Sequence, residues 1–121
     1  MSVITTLLGV LVALEFFYIT YLETVKTTSD ATARVFKLSR EDLQNKNIQV
    51  LFKNQGVYNG LIGIGILYAL FVSSARIELL SVFLVYIILV ALYGSLTSDR
   101  FIIFKQGGLA ILTLLSILFY K

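Results

Sequence analysis

Four stretches of the chain, at about residues 3–25, 55–72, 77–97 and 101–120, are apolar over nearly their whole length. An α-helix rises 1.5 Å per residue, so about 20 such residues cross the roughly 30 Å hydrocarbon layer of a bilayer. Backbone that is not hydrogen-bonded within its own segment cannot face lipid, which leaves helices as the spanning form for runs of this kind. Only Ser73, Ser74, Ala75 and Arg76 separate the second stretch from the third, and only Ser98, Asp99 and Arg100 the third from the fourth. Connections so short force consecutive helices to run antiparallel. The pattern predicts an all-α, integral membrane four-helix up-and-down bundle forming a single domain over residues 1–121.

Composition narrows the chemistry. With 58% hydrophobic residues and a mean hydropathy of +0.90, the chain is more apolar than soluble domains. It contains no Cys and no His, so disulfides and the usual donors to zinc, copper and haem are missing, and no metal or cofactor is expected. The net charge is only +3 and the basic residues fall between apolar runs, which argues against nucleic acid as a partner. The first apolar run has no Lys or Arg before it, is longer than a signal-peptide core and contains Glu15, so it is expected to remain as a mature helix.

Orientation follows from the basic residues. Lys26, Arg34, Lys37, Arg40, Lys46 and Lys53 lie in the loop at about 26–54, and Arg100 and Lys105 flank the third connection, against Arg76 and Lys121 on the opposite side. By the positive-inside rule the protein is a multi-pass cell-membrane protein with loop 26–54 cytoplasmic and both termini extracytoplasmic. The loop is expected to be partly helical. Residues 27–29 read as a turn and 31–38 as a short interfacial helix, while Ser39 before Arg40, Glu41 and Asp42 reads as an N-cap. No Gly or Pro follows until Gly56, which predicts one long helix from about Arg40 into the second span.

Polar groups inside the apolar runs are the candidate functional residues. An ionisable group near mid-bilayer costs at least ~2.5 kcal/mol, so it usually faces the bundle interior and serves a function. Glu15 is that residue, with Tyr18 three positions on. The second run opens with Asn54-Gln55-Gly56-Val57-Tyr58-Asn59-Gly60, where Gln55 and Asn59 share one face and Gly56, Gly60 and Gly63 an adjoining arc suited to close helix packing. The third run carries Tyr86, Tyr93 and Gly94, and the fourth opens with Gln106-Gly107-Gly108. With alternating directions, Gln55, Asn59, Tyr93 and Gln106 fall within about two turns of the cytoplasmic boundary, with Tyr18 and Glu15 deeper. The predicted binding set is therefore Glu15, Tyr18, Gln55, Asn59, Tyr93 and Gln106, in a pocket open to the cytoplasm, and the predicted packing set is Gly56, Gly60, Gly63, Gly94 and Gly107. Plainer readings stand beside these. The carboxamides also read as interhelical glue, the tyrosines as interface-belt residues, Glu15 as an acid satisfied by one partner, and Glu23 with Lys26 as a surface ion pair.

Several of these segments resemble the small bacterial membrane proteins called domain of unknown function 1304. The resemblance rests on Ala13-Leu14-Glu15 with Tyr18, Tyr21-Leu22-Glu23, Val35-Phe36 with Leu38-Ser39, the run from Asn54 to Gly60, Leu92-Tyr93-Gly94, and Gln106-Gly107-Gly108 with Ala110. The run Asn-Gln-Gly-x-Tyr-Asn-Gly is its specific part. The resemblance implies a four-helix membrane fold and supplies no activity. Where the family often carries His after the first Glu, this chain has Phe16, and where it often carries Pro in the last helix, this chain has Leu109. In fold alone the arrangement is also similar to small multidrug transporters, which share four helices and a carboxylate in the first, although this chain lacks their tryptophans and has a longer first loop.

Three functions fit. The first is binding or proton-coupled transport of a small amphipathic or cationic molecule, with Glu15 exchanging a proton for the ligand. The second is a membrane enzyme acting on a lipid or isoprenoid substrate, ranked lower because no nucleophile–base pair, and so no catalytic residue, is visible. The third is a structural or regulatory subunit of a membrane complex. The expected partners are the lipid bilayer, a small-molecule or lipid ligand and further copies of the chain.

Overall fold

A computed structural model describes residues 1–120 and contains, in chain order, α1 (Val3–Thr24), α2 (Asp30–Phe36), α3 (Arg40–Leu43), α4 (Lys46–Phe71), α5 (Arg76–Thr97), α6 (Ile102–Lys105) and α7 (Gly108–Tyr120). There are no strands among the described residues. Two helices, α1 and α5, are long and apolar enough to cross a membrane. The helices group into two units, one of Leu14–Gly63 and the other of Met1–Ala13 with the chain from Ile64 onward, so α1 and α4 each contribute to both.

In the Leu14–Gly63 unit, α1 and α4 run antiparallel with their small residues facing. The positions that a side chain would occupy at Gly63, Gly60 and Gly56 meet Phe17, Thr20 and Thr24 respectively, so numbers fall along one helix as they rise along the other. A methyl at Gly56 would sit 2.5 Å from Thr24 Cγ2 and 3.2 Å from Glu23 Cβ, which makes glycine a requirement of the close approach. Thr20 Oγ1 bridges the helices by donating to the Phe16 carbonyl (2.9 Å) and to the Gly56 carbonyl (3.0 Å).

The connection between these helices is built from local caps. Ser29 begins α2 by accepting from the Thr32 amide, and the buried Thr32 hydroxyl ties α2 back to the end of α1 through the Leu22 and Lys26 carbonyls. Lys37 ends α2 in the left-handed region (φ 54°), letting the Leu38 amide reach the Ala33 carbonyl. Ser39 and Asp42 form a capping box on α3. The predicted unbroken helix from Arg40 is interrupted after Leu43, because Asn45 Oδ1 accepts from the Asn47 and Ile48 amides and so starts a new helix. The Phe36 and Phe52 rings, 5.0 Å apart, and the buried Leu43 hold α2 and α3 onto this unit.

In the other unit, α5 packs against α6 and α7. Its buried Leu80, Leu84, Ile87 and Ala91 recur every three to four residues, one stripe of a helix that is apolar all round. Thr5 of α1 and Ser116 of α7 share a buried hydrogen bond of 2.8 Å. Gly9 faces Leu70 and Gly65 faces Phe83. The last apolar stretch is not one helix. It divides at Gln106–Gly107, where a side chain at Gly107 would strike the Ile103 carbonyl at 2.6 Å, while the Ile103 amide in the first turn of α6 donates to Ser95 Oγ (2.6 Å).

Candidate functional site

The face of α1 that meets α4 carries Phe17, Thr20, Glu23 and Thr24, three to four residues apart along the helix and therefore on one side of it. Glu23 belongs to that face. It is 0% exposed, and Asn59 Nδ2 donates to its Oε1 at 2.7 Å across the helix pair. Its other oxygen, Oε2, is buried and has no hydrogen-bond partner among the described residues. The expected surface pair with Lys26 is replaced by this arrangement: Lys26 is exposed, and no ion pair joins it to Glu23 among the described residues. Lys26 lies beyond Thr24, the last residue of α1, where the chain has already left the helix.

Glu15 lies two turns earlier, about 80° around the helix from Glu23 and about 140° from Thr20, so it does not share the side that meets α4. It is half-buried, and its Oε1 is a second buried acceptor without a donor among the described residues. The predicted binding set does not close around Glu15. Tyr18 is exposed, and Asn59 binds Glu23 instead. Gln55 is exposed one turn before Asn59 and approaches the Glu23 carboxyl while leaving Oε2 unsatisfied.

Tyr93 and Gln106 belong to the other unit. Tyr93 is 69% exposed, and its carbonyl accepts from the Thr97 hydroxyl. Gln106 is half-buried at the break between α6 and α7. Gly94 faces Ile102, and Gly107 lies against Ala91. Glu15, Gln55 and Asn59 of the predicted binding set thus occupy the helix pair that also carries Glu23, the residue that sequence reasoning set aside.

Chemically, the site is a pair of acidic acceptors in surroundings of apolar groups, threonine hydroxyls and one carboxamide. Nothing in it supplies a nucleophile next to a base, and no group of three or more His, Cys, Asp or Glu residues suited to a metal is found among the described residues. Its unsatisfied oxygens call for hydrogen-bond donors or positive charge.

The segments that build this helix pair lie within a family match that spans residues 10–118, to the family described as "Protein of unknown function (DUF1304)". The chain belongs to the DUF1304 family. It is 60% identical over 119 residues to a protein of Lactococcus lactis subsp. lactis (strain IL1403) named "Uncharacterized protein YpaA", covering 98% of this chain and 100% of that protein. No solved structure matches the chain. For a DUF1304 protein, then, function is argued from the residues of the site.

Proposed function

We propose that this DUF1304 protein is a multi-pass membrane protein that binds a small amphipathic or cationic molecule at the α1 carboxylates, exchanging a proton for it. Proton-coupled transport is the fuller form of this reading. One observation carries it: Glu15 Oε1 and Glu23 Oε2 are both buried acceptors without donors among the described residues, on a helix apolar enough to span a bilayer. A buried carboxyl oxygen left unpaired costs about 1–3 kcal/mol, so a chain that retains two of them gains when a cation or proton arrives. Four apolar segments arranged as an up-and-down bundle, with loop 26–54 cytoplasmic and the termini outside, complete the reading on the placement of the basic residues.

The test has two parts. A cysteine placed beside Lys46 should react with an impermeant maleimide only from the cytoplasmic side, and labelling from outside intact cells would refute the orientation. In nanodiscs, hexylammonium should bind with measurable proton release by calorimetry in two buffers. Glu15→Gln should weaken binding and remove proton release while leaving the helical circular-dichroism spectrum unchanged. Binding that never exceeds empty nanodiscs would refute the ligand reading and favour a structural subunit held together by the Asn59–Glu23 bond.

A further inference from the structure

We infer that the ligand of this site is a protonated primary or secondary amine, and that Glu23 Oε2 is the atom that receives its N–H. The inference rests on the cation-binding reading above and narrows it to one carboxylate and one class of cation.

The two oxygens of Glu23 are not equivalent. Oε1 is held by Asn59 Nδ2 at 2.7 Å, which anchors that side of the carboxyl group to α4. Asn59 in turn is held by its backbone in α4, one turn from Gly56, where the two helices approach most closely. Oε2 is buried and left without a hydrogen bond among the described residues although the Gln55 carboxamide of α4 comes near the carboxyl, and the hydroxyls beside it are committed elsewhere: Thr20 Oγ1 to the Phe16 and Gly56 carbonyls, Thr24 Oγ1 to the Thr20 carbonyl, and Thr27 Oγ1 to the Glu23 carbonyl. Each neighbouring hydroxyl hydrogen is thus spent on backbone, and the carboxylate oxygen is the acceptor left over.

An acceptor of this kind discriminates among cations. A quaternary ammonium brings positive charge but no N–H, so it would leave Oε2 desolvated and without a donor. An ammonium with an N–H provides both the charge and the missing hydrogen bond, which is a charge-assisted one. Sites that satisfy a buried polar atom through a ligand hydrogen bond reject analogues that lack the donor more strongly than apolar pockets reject a size change. Ile19, buried one turn before Glu23 on the same side of α1, is an apolar neighbour that suits an alkyl chain on the amine.

Hexylammonium and hexyltrimethylammonium, matched in chain length and charge, separate the possibilities in nanodisc calorimetry. The primary amine should bind at least about tenfold more tightly. Glu23→Gln should remove that preference, because its amide oxygen can still accept from Asn59 while the charged oxygen is gone. Equal affinity of the two cations would overturn the N–H inference and leave cation binding in place, as would an unchanged preference in Glu23→Gln with loss in Glu15→Gln. Binding of neither cation would overturn the functional reading as well. If Glu23→Gln does not fold, infrared difference spectra of the wild type decide: a carboxylate band that shifts with hexylammonium but not with hexyltrimethylammonium supports the assignment, and identical spectra overturn it.

Discussion

Replacing Gly56 by alanine tests the packing that places Glu23. The added methyl would lie 2.5 Å from Thr24 Cγ2, whereas carbon atoms in ordinary contact sit about 3.5–4.0 Å apart, so a gap of about 1 Å must be opened. Glu23 Cβ at 3.2 Å blocks retreat in that direction. If Thr24 rotates away, it loses the bond from its hydroxyl to the Thr20 carbonyl, at 2.6 Å, a loss of about 0.5–1.5 kcal/mol. If the helices part instead, overpacking costs about 1–3 kcal/mol. Alanine's higher helix propensity returns about 1 kcal/mol, so parting the helices leaves a net destabilisation of up to about 2 kcal/mol, and rotating Thr24 leaves the change near zero. Unfolding in dodecylmaltoside, followed by circular dichroism, reads this directly. Thr24→Ser removes the clashing methyl group and keeps the hydroxyl, so Gly56→Ala should cost at least about 1 kcal/mol less in that background. A Gly56→Ala effect that Thr24→Ser leaves unchanged would refute the close approach. Gly108→Ala is the control, since its methyl meets nothing within 4 Å and should not destabilise.

Three further outcomes are expected. Asn59→Ala leaves both Glu23 oxygens without donors and should lower stability by about 1–3 kcal/mol, measured by the same unfolding assay. Thr32→Val removes the hydroxyl that joins α2 to the end of α1, so amide hydrogen exchange across Asp30–Phe36 should accelerate while α5 and α7 stay as protected as in the parent. Ser39→Ala destroys the capping box and should speed exchange at the Asp42 amide, with a local cost of about 1 kcal/mol and little change in global stability.

Much of the local structure could be read from residue chemistry. The turn at 27–29 and the cap at Ser39 follow from short hydroxyl side chains that satisfy nearby amides, and both are present. The short helix expected at 31–38 is α2 over Asp30–Phe36. Two breaks escaped notice for different reasons. At Asn45 the interruption comes from a side-chain oxygen competing for backbone amides, a weaker sequence signal than Gly or Pro. At Gln106–Gly107 it falls at the glycine pair Gly107–Gly108, poor helix formers that also suit close packing, while Ser95 on another helix caps the first turn of α6 by accepting the Ile103 amide. Glu23 was misread because α1 is apolar on every side, so hydrophobicity does not show which face turns inward. The phase was nevertheless present in the sequence: Glu23 follows Phe16 by seven residues, two helical turns, and Gly56, Asn59 and Gly63 supply a complementary small and polar face on α4.

The division of the last apolar stretch has a consequence for the lipid around it. A helix of 13 residues is about 20 Å long, roughly 10 Å less than the thickness of a typical hydrocarbon layer. In the membrane arrangement proposed above, a bilayer beside α7 would have to thin or admit headgroups toward Gln106, and each ångström of mismatch carries a modest energetic cost. The protein should accordingly be more stable in vesicles of short-chain lipids than in those of long-chain lipids, concentrating where the membrane is thin.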